Sequence, residues 1–562
     1  MTLKSYTPKT RGVLKTIAFV SLLALGFLSA TPTFAAFGLT TATDYYQVDT
    51  GAGLVFKVRR TDNGSSTQSA GDIMSLVYNG VEYQNQSRGS QLNSGFDYLY
   101  TGVSAVTVSA AVVNTSYIKV TVQAGSATHY YMARSGNPHI YMATYFTAEP
   151  NTLNLCRYIL RLSSTLLPNG PIPSDIRNTV STVESSDVFA LSNGQTRSKH
   201  YSNMRLKDWS YIGATGSGVG MFVVRDNNEG GSGGPFFRCL LDQCTATDQE
   251  ITYIANYGEG QTEAFRTGIL NAYTLVVTNG GTPGTVDTSW FSSMSLSGYL
   301  AAASRGKVSG VGIAGRDTAY TYTVGFSNTS AQYWTTAAAS NGAFTCAGMR
   351  PGTYTMKIYK NELAVYTGSA TVTAGGTTAL NTITITGDPS STTAIWRIGN
   401  WDGTPNEFLN ASKITYMHPS DVRITTWNPG TYIVGSSSAA TGFPCYQWAG
   451  VNGFQVVKFT LTAAQAAAAH TVRFGITVAY AGARPDITIN SWNSANASAS
   501  TQPSTRTLTV GTYRGNNTTY TFAVPASAFV TGTNTLTLSP ISGSGGALYL
   551  SAGYSIDCVD MY

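Results

Sequence analysis

Apolar and polar residues alternate along most of the chain. In Tyr117-Ile118-Lys119-Val120-Thr121-Val122, Ile118, Val120 and Val122 fall on one face and Lys119 and Thr121 on the other, the period-two pattern of a half-buried strand. The texture recurs to the C-terminus, punctuated by turn chemistry at Asp62-Asn63-Gly64, Ser192-Asn193-Gly194, Asn279-Gly280-Gly281 and Arg350-Pro351-Gly352. One segment, Leu461 to Ala469, has a helical composition, and its length allows a turn or two. Many short strands without intervening helices predict an all-β protein of sandwiches or barrels, not a doubly wound sheet.

At 562 residues the chain is too long for one core, and three blocks differ in texture. Residues 36–288 hold most of the closely spaced charged and aromatic positions. Residues 289–387 have the size and strand spacing of an immunoglobulin-like or transthyretin-like sandwich, with a strand Tyr354 to Tyr359 entered through the Pro351-Gly352 turn. Residues 388–562 begin in a linker, Asp388-Pro389-Ser390-Ser391, and are rich in Trp, Tyr, Asn and Gly, the character of a sugar-binding jelly roll. There Trp396, Trp401 and Trp427 fit either stacking on sugar rings or, more commonly in a sandwich, core packing.

Composition narrows the class. Charged residues make up 11% of the chain while Gly numbers 58, Tyr 34 and Phe 22, which argues against disorder, coiled coil and a helical cytosolic protein. The first 35 residues carry a basic stretch, an apolar run from Thr16 to Leu28 and small residues around Thr33 and Ala35, the pattern of a signal peptide with maturation at Ala36. That run is shorter than the ~18 residues of a membrane span. Lys4, Lys9, Arg11 and Lys15 lie in the first 35 residues, so a chain starting at Ala36 keeps 30 of the 34 basic residues against 28 acidic, a net +2 instead of +6. Nothing in that balance suits a nucleic-acid or membrane-surface partner. A secreted protein is expected, with a disulfide between Cys239 and Cys244, the two cysteines close enough in sequence to close a small loop.

Searches for familiar chemistry come up empty: no Cys-x-x-Cys pair, His-Glu-x-x-His, nucleophile elbow or phosphate loop, and five His in all. Gly230-Gly231-Ser232-Gly233-Gly234 reads as a flexible loop, since no helix follows it. What remains is basic. Strand periodicity puts Arg197, Lys199 and Tyr201 on one face, and Arg157 with Arg161 on another. Such cations either line a solvated surface in ion pairs or receive an anionic ligand, and crowding among them favours a neutral lysine able to act as a base.

Several runs carry a family resemblance: Met142 to Pro150, Arg161 to Asn169, Gln195-Thr196-Arg197-Ser198-Lys199, Gly233 to Phe236, Arg305 to Gly310, Pro351 to Met356, Ile398 to Gly403 and Met417-His418-Pro419-Ser420-Asp421. Taken in order through all three blocks, the chain resembles the rhamnogalacturonan lyases of polysaccharide lyase family four. The resemblance implies a large catalytic β-sandwich, a fibronectin-III-like domain and a carbohydrate-binding-module-like jelly roll. It also implies β-elimination at the rhamnose-(1→4)-galacturonate bond of rhamnogalacturonan I in pectin. Lys199 matches the family's base and Arg157 an active-site arginine able to neutralise the uronate carboxylate. Arg197, Tyr201, Tyr253 and Tyr257 are the accompanying candidates for substrate contacts. The family's histidine acid, in Gly-His-x-Gln-Thr-Glu, is replaced here: the chain reads Gly258-Glu259-Gly260-Gln261-Thr262-Glu263. Three outcomes stay open: Glu259 is an acid with a raised pKa, Tyr253, Tyr257 or His200 substitutes, or catalysis is impaired and the protein binds pectin without cleaving it. Hydrolysis by a pair such as Glu259 and Glu263 is a weaker reading, because adjacent cations serve elimination better. The expected partner is the polysaccharide alone, met by a monomer that needs no cofactor for catalysis; Asp402 and Asp557 are candidates to hold a structural Ca²⁺.

Overall fold

The structure, a computed structural model, describes residues 36–562 except 63–67, 95, 96, 99–105, 151–155, 203, 210, 228, 232, 239, 257–262, 500–510, 514 and 515. The expected leader lies outside the described residues, as do Glu259, Tyr257 and Cys239.

Most described elements are strands, and on the half-buried ones alternation predicts which side is buried. Tyr117–Ala124 buries Ile118, Val120 and Val122 and leaves Lys119 and Thr121 partly accessible. This strand belongs to a seven-stranded antiparallel sheet whose middle strands are Leu270–Thr278 and His139–Phe146. A five-stranded sheet runs in the order Leu240–Cys244, Asp248–Asn256, Cys156–Ser163, Gln91–Ser94, Asp97–Tyr98. A single apolar core joins them: Ile118, Val120 and Val122 from one sheet, Tyr158, Leu160 and Leu162 from the other, and Phe56 and Leu76 from an N-terminal five-stranded meander. Trp290, Phe291 and Met294 pack with Tyr130, Met132 and Tyr141 of the seven-stranded sheet in a second cluster.

The middle region pairs a four-stranded sheet containing Gly352–Lys360 with a three-stranded one, and the C-terminal region two five-stranded sheets. Trp396, Trp401 and Trp427 are buried there, the core-packing alternative. The helical segment is a single turn, Ala463–Ala466, held by a capping box between Thr462 and Gln465.

Polar seams join the three regions. Glu229, almost fully buried, receives the guanidinium groups of Arg305 and Arg350 from the middle region, the Arg350 Nε at 2.7 Å. The glycine-rich stretch beside it is a packed part of this seam and not the free loop expected: Gly234 N donates to Gln332 Oε1 at 3.0 Å and the Gly231 carbonyl accepts from Arg266. Arg205 reaches Glu362 at 2.9 Å, and the amides of Glu362 and Leu363 both donate to the Asp402 carbonyl.

The expected disulfide does not form. Cys244 is a free, buried thiol at the end of the extended strand Leu240–Cys244. Four steps of ~3.3 Å separate its Cα from that of Leu240 by about 13 Å. The residue one peptide bond before Leu240 therefore cannot reach the ~4.4–6.8 Å that a disulfide requires.

Candidate active site at the edge of the five-stranded sheet

Lys199 was expected on a strand running through Tyr201, but the strand is only Thr196–Arg197. Ser198 N then donates to the Pro173 carbonyl at 3.1 Å, and Lys199–Ser202 coil into a 3-10 turn. Ser202 fastens that turn twice: its hydroxyl donates to the Lys199 carbonyl at 2.7 Å and accepts from Asp242 N at 2.9 Å. The turn thus lies along the edge strand Leu240–Cys244, satisfying a backbone donor that has no neighbouring strand on that side.

The Lys199 ammonium sits 3.1 Å from Asp187 Oδ1, and His200 Nε2 is 3.9 Å from the same oxygen, with all three side chains partly exposed. Asp187 lies in the tight connection between Ser181–Glu184 and Val188–Ala190, where Ser185 takes a positive φ of 45°. These two strands and Thr196–Arg197 make a separate three-stranded sheet. One carboxylate therefore orients two nitrogen bases on consecutive residues.

Arg157 is on Cys156–Ser163, two strand spacings, about 10 Å, in from the edge strand. Tyr158, Leu160 and Leu162 fill the core, so Arg157, Ile159 and Arg161 point to the other face, as alternation predicts. Arg161 is 1% exposed; it donates to the Gly89 carbonyl at 2.7 Å and lies 3.6 Å from Glu250 Oε1, which also receives Arg88 at 2.8 Å. Burial, then the like charge of Arg88, pushes the Arg161 guanidinium below its usual range against the pull of Glu250, with Arg157 adding further repulsion. Arg88, Arg157 and Arg161 thus gather near this face, with Glu250 and Asp248 as carboxylate partners of Arg88 and Glu250 beside Arg161. Asn256 pairs with Cys156, the neighbour of Arg157, and Glu259 follows three residues later in the sequence.

Three expected contacts are placed elsewhere. Arg197 does not share a face with Lys199, because the strand ends between them. Its guanidinium donates to the Thr196 carbonyl at 3.0 Å, and burial followed by the like charge of Arg423 pushes it below its usual range. Tyr201 is buried, with Gly511 of the C-terminal region packed against its ring. Tyr253 pairs with Tyr158 and is buried in the core, its ring 6.2 Å from Trp209 and 4.6 Å from Tyr273. Its ring therefore packs among core aromatics.

Asp402 and Asp557 do come together, but their oxygens are engaged within the chain. Asp402 Oδ1 accepts from Thr404 N and Oγ1 at 2.9 and 2.8 Å, and Oδ2 from Asn361 at 2.7 Å; Asp557 Oδ1 accepts from Gly403 N at 2.7 Å. Calcium takes six to eight oxygens. Among the described residues no group of three or more His, Cys, Asp or Glu side chains is arranged for a metal. The pair fastens the turn around Gly403.

Sequence reading missed Asp187, whose only local sign is the turn chemistry of Ser185-Ser186-Asp187. It also assigned no role to Asp421, although the run Met417 to Asp421 was conspicuous: Asp421 Oδ2 accepts from Thr196 N at 2.6 Å and Thr196 Oγ1 at 2.8 Å. Among the described residues no helix is long and apolar enough to cross a membrane.

Comparison with known proteins covers all three regions. The family model described as rhamnogalacturonan lyase B, N-terminal, matches residues 37–298; those for domains II and III of polysaccharide lyase family 4 match 304–380 and 394–561. The chain is 43% identical to the probable rhamnogalacturonate lyase A of Aspergillus terreus over 92% of its length and 94% of that protein's. It is 41% identical to rhamnogalacturonate lyase A of Aspergillus aculeatus and 42% identical to that of Emericella nidulans, each over 96% of this chain and 99% of the relative. Three family models in order, and relatives matched nearly end to end at this identity, lead to one assignment: the chain belongs to the rhamnogalacturonate lyases of polysaccharide lyase family 4, and it is a lyase.

Proposed function

We propose that this lyase cleaves the rhamnose-(1→4)-galacturonate bond within rhamnogalacturonan I by β-elimination, outside the cell. The observation that carries the reading is the partly exposed Lys199, held by Asp187 beside the edge of a sheet whose inner strand Cys156–Ser163 carries Arg157. Arginine at the uronate carboxylate withdraws charge and makes the C5 proton acidic. Lys199 Nζ takes up that proton, the electron pair of the C5–H bond forms the C4–C5 double bond, and the C4–O4 bond breaks. The leaving oxygen departs with the rhamnose and takes up a proton. Of the donors considered, His200 stands beside Lys199 and near the same Asp187, while Tyr253 packs among core rings and Glu259 and Tyr257 lie outside the described residues. The chemistry needs no cofactor, because side-chain cations do the work at the carboxylate. The leader-like first 35 residues support an extracellular setting.

A second reading rests on one observation, Glu259 in the position of the family's histidine: the same fold binds pectin with catalysis impaired. Purified protein on rhamnogalacturonan I separates the two. The first reading expects ultraviolet absorbance from the unsaturated uronate. The second expects binding with no absorbance rise and activity created by Glu259→His.

A further inference from the structure

The three-stranded sheet that carries Asp187 and leads into Lys199 is too small to hold itself. Its strands, Ser181–Glu184, Val188–Ala190 and Thr196–Arg197, have four, three and two residues. Sheets of this size depend on what they pack against. Thr196–Arg197 is an edge strand with a free side, since it pairs only with Val188–Ala190.

That free side is closed by a loop more than 220 residues away in sequence. Asp421 Oδ2 accepts from Thr196 N at 2.6 Å and Oγ1 at 2.8 Å, His418 N donates to Thr196 Oγ1 at 2.9 Å, and Val422 N donates to the Gly194 carbonyl at 3.4 Å. On the first strand of the same sheet, Glu184 Oε2 lies 3.5 Å from His418 Nε2, both side chains almost fully buried. Asp421 is itself rigidly held: Arg423 donates from Nε to Oδ1 and from a terminal nitrogen to Oδ2, each at 2.7 Å, and the Arg423 amide donates to Oδ1. The loop is therefore preorganised, and it takes hold of both ends of the small sheet, one strand before Asp187 and three residues before Lys199.

Resting on the reading of Lys199 as the base, we propose that the His418–Asp421 loop of the C-terminal region is a positioning device for catalysis, with Asp421 and Thr196 as its positioning residues. It holds the turn from which Lys199 meets the C5 proton, and misplacing that turn by about 1 Å is the kind of error that costs up to ~10²-fold in rate.

The test compares Thr196→Val, which removes the hydroxyl, and Asp421→Asn with Thr196→Ser, which keeps both donors of Thr196. The first two are expected to lower kcat by about tenfold or more with KM changed by less than about twofold, and Thr196→Ser to stay within about twofold of the unaltered protein. Amide exchange supplies a readout independent of activity: residues 188–197 lose about tenfold or more in protection in the first two variants, while the strands of the sandwich core keep theirs. Unchanged kcat and unchanged protection at 188–197 would overturn the proposal. So would protection lost equally across the sandwich core, which marks general destabilisation. If the unaltered protein yields no unsaturated product, the reading of function fails, and the exchange comparison still decides whether the loop holds the turn.

Discussion

His129 provides a buried titration whose effect on stability follows from its surroundings. Its ring is 1% exposed in the core of the first region, stacked 5.1 Å from Tyr158, with Nδ1 2.9 Å from Thr144 Oγ1 and, among the described residues, no hydrogen-bond partner for Nε2. Burial pushes its pKa down to about 3, so the folded protein keeps the ring neutral where the unfolded chain, at ~6.5, binds a proton. In that window the unfolded state holds more protons, and stability falls as pH falls. Linkage gives a loss of about 2 kcal/mol between pH 7 and pH 5, growing by ~1.4 kcal/mol for each further pH unit until the folded pKa is approached. Asp72 and Asp242 act in the opposite sense, because burial pushes their carboxyls up to about 8 and about 7, which favours the folded state on acidification. A difference measurement isolates the histidine. His129→Phe keeps a ring in the core and removes the titration, and its fixed packing cost cancels between the two pH values. Amide exchange on the strand Tyr117–Ala124, corrected for the intrinsic rate, reads the opening free energy of this region in both proteins. The gap between them should shift by about 2 kcal/mol from pH 7 to pH 5 in favour of the variant. A shift below about 0.5 kcal/mol would refute the assignment of a neutral buried ring.

Three further outcomes follow from single contacts. Asp560→Asn should destabilise the protein by about 3 kcal/mol in urea unfolding, because the buried carboxylate pairs with Arg473 at 2.7 Å and Arg397 at 3.1 Å and accepts from the Trp401 indole, and the amide leaves two guanidinium groups short of a partner. Glu229→Gln should loosen the seam with the middle region, costing about 2 kcal/mol by calorimetry, less than for a fully enclosed pair because Arg305 and Arg350 can reach water. Gly216→Ala puts a Cβ 1.8 Å from the Leu166 carbonyl oxygen, so one of the two backbones must move; a loss of about 2 kcal/mol or more in thermal unfolding is expected.

The all-β architecture was legible because alternation is a local property of strand geometry. Ile118, Val120 and Val122 are buried for the reason their spacing announces. The same logic placed Arg157 and Arg161 on one face, since their strand runs unbroken between them. It failed at Lys199, where the strand is ended by partners distant in sequence: the Pro173 carbonyl on Ser198 and Asp242 on Ser202. The burial of Tyr253 was not legible, because alternation gives two faces without saying which one meets the core. Cys239 and Cys244 are close in sequence and kept apart by the strand between them, a separation that loop-length reasoning does not contain. Thr196 and Asp421 were both visible as residues in conspicuous runs, but their contact spans 225 positions and belongs to tertiary packing.

The most direct test of the account is the initial rate of absorbance gain from unsaturated uronate on rhamnogalacturonan I, for the unaltered protein and Lys199→Ala side by side, with products identified. The account predicts a steady rise for the unaltered protein and a fall of about 10²-fold or more for Lys199→Ala, with binding retained. An undiminished rate in Lys199→Ala, or saturated reducing ends in place of the unsaturated product, would contradict it.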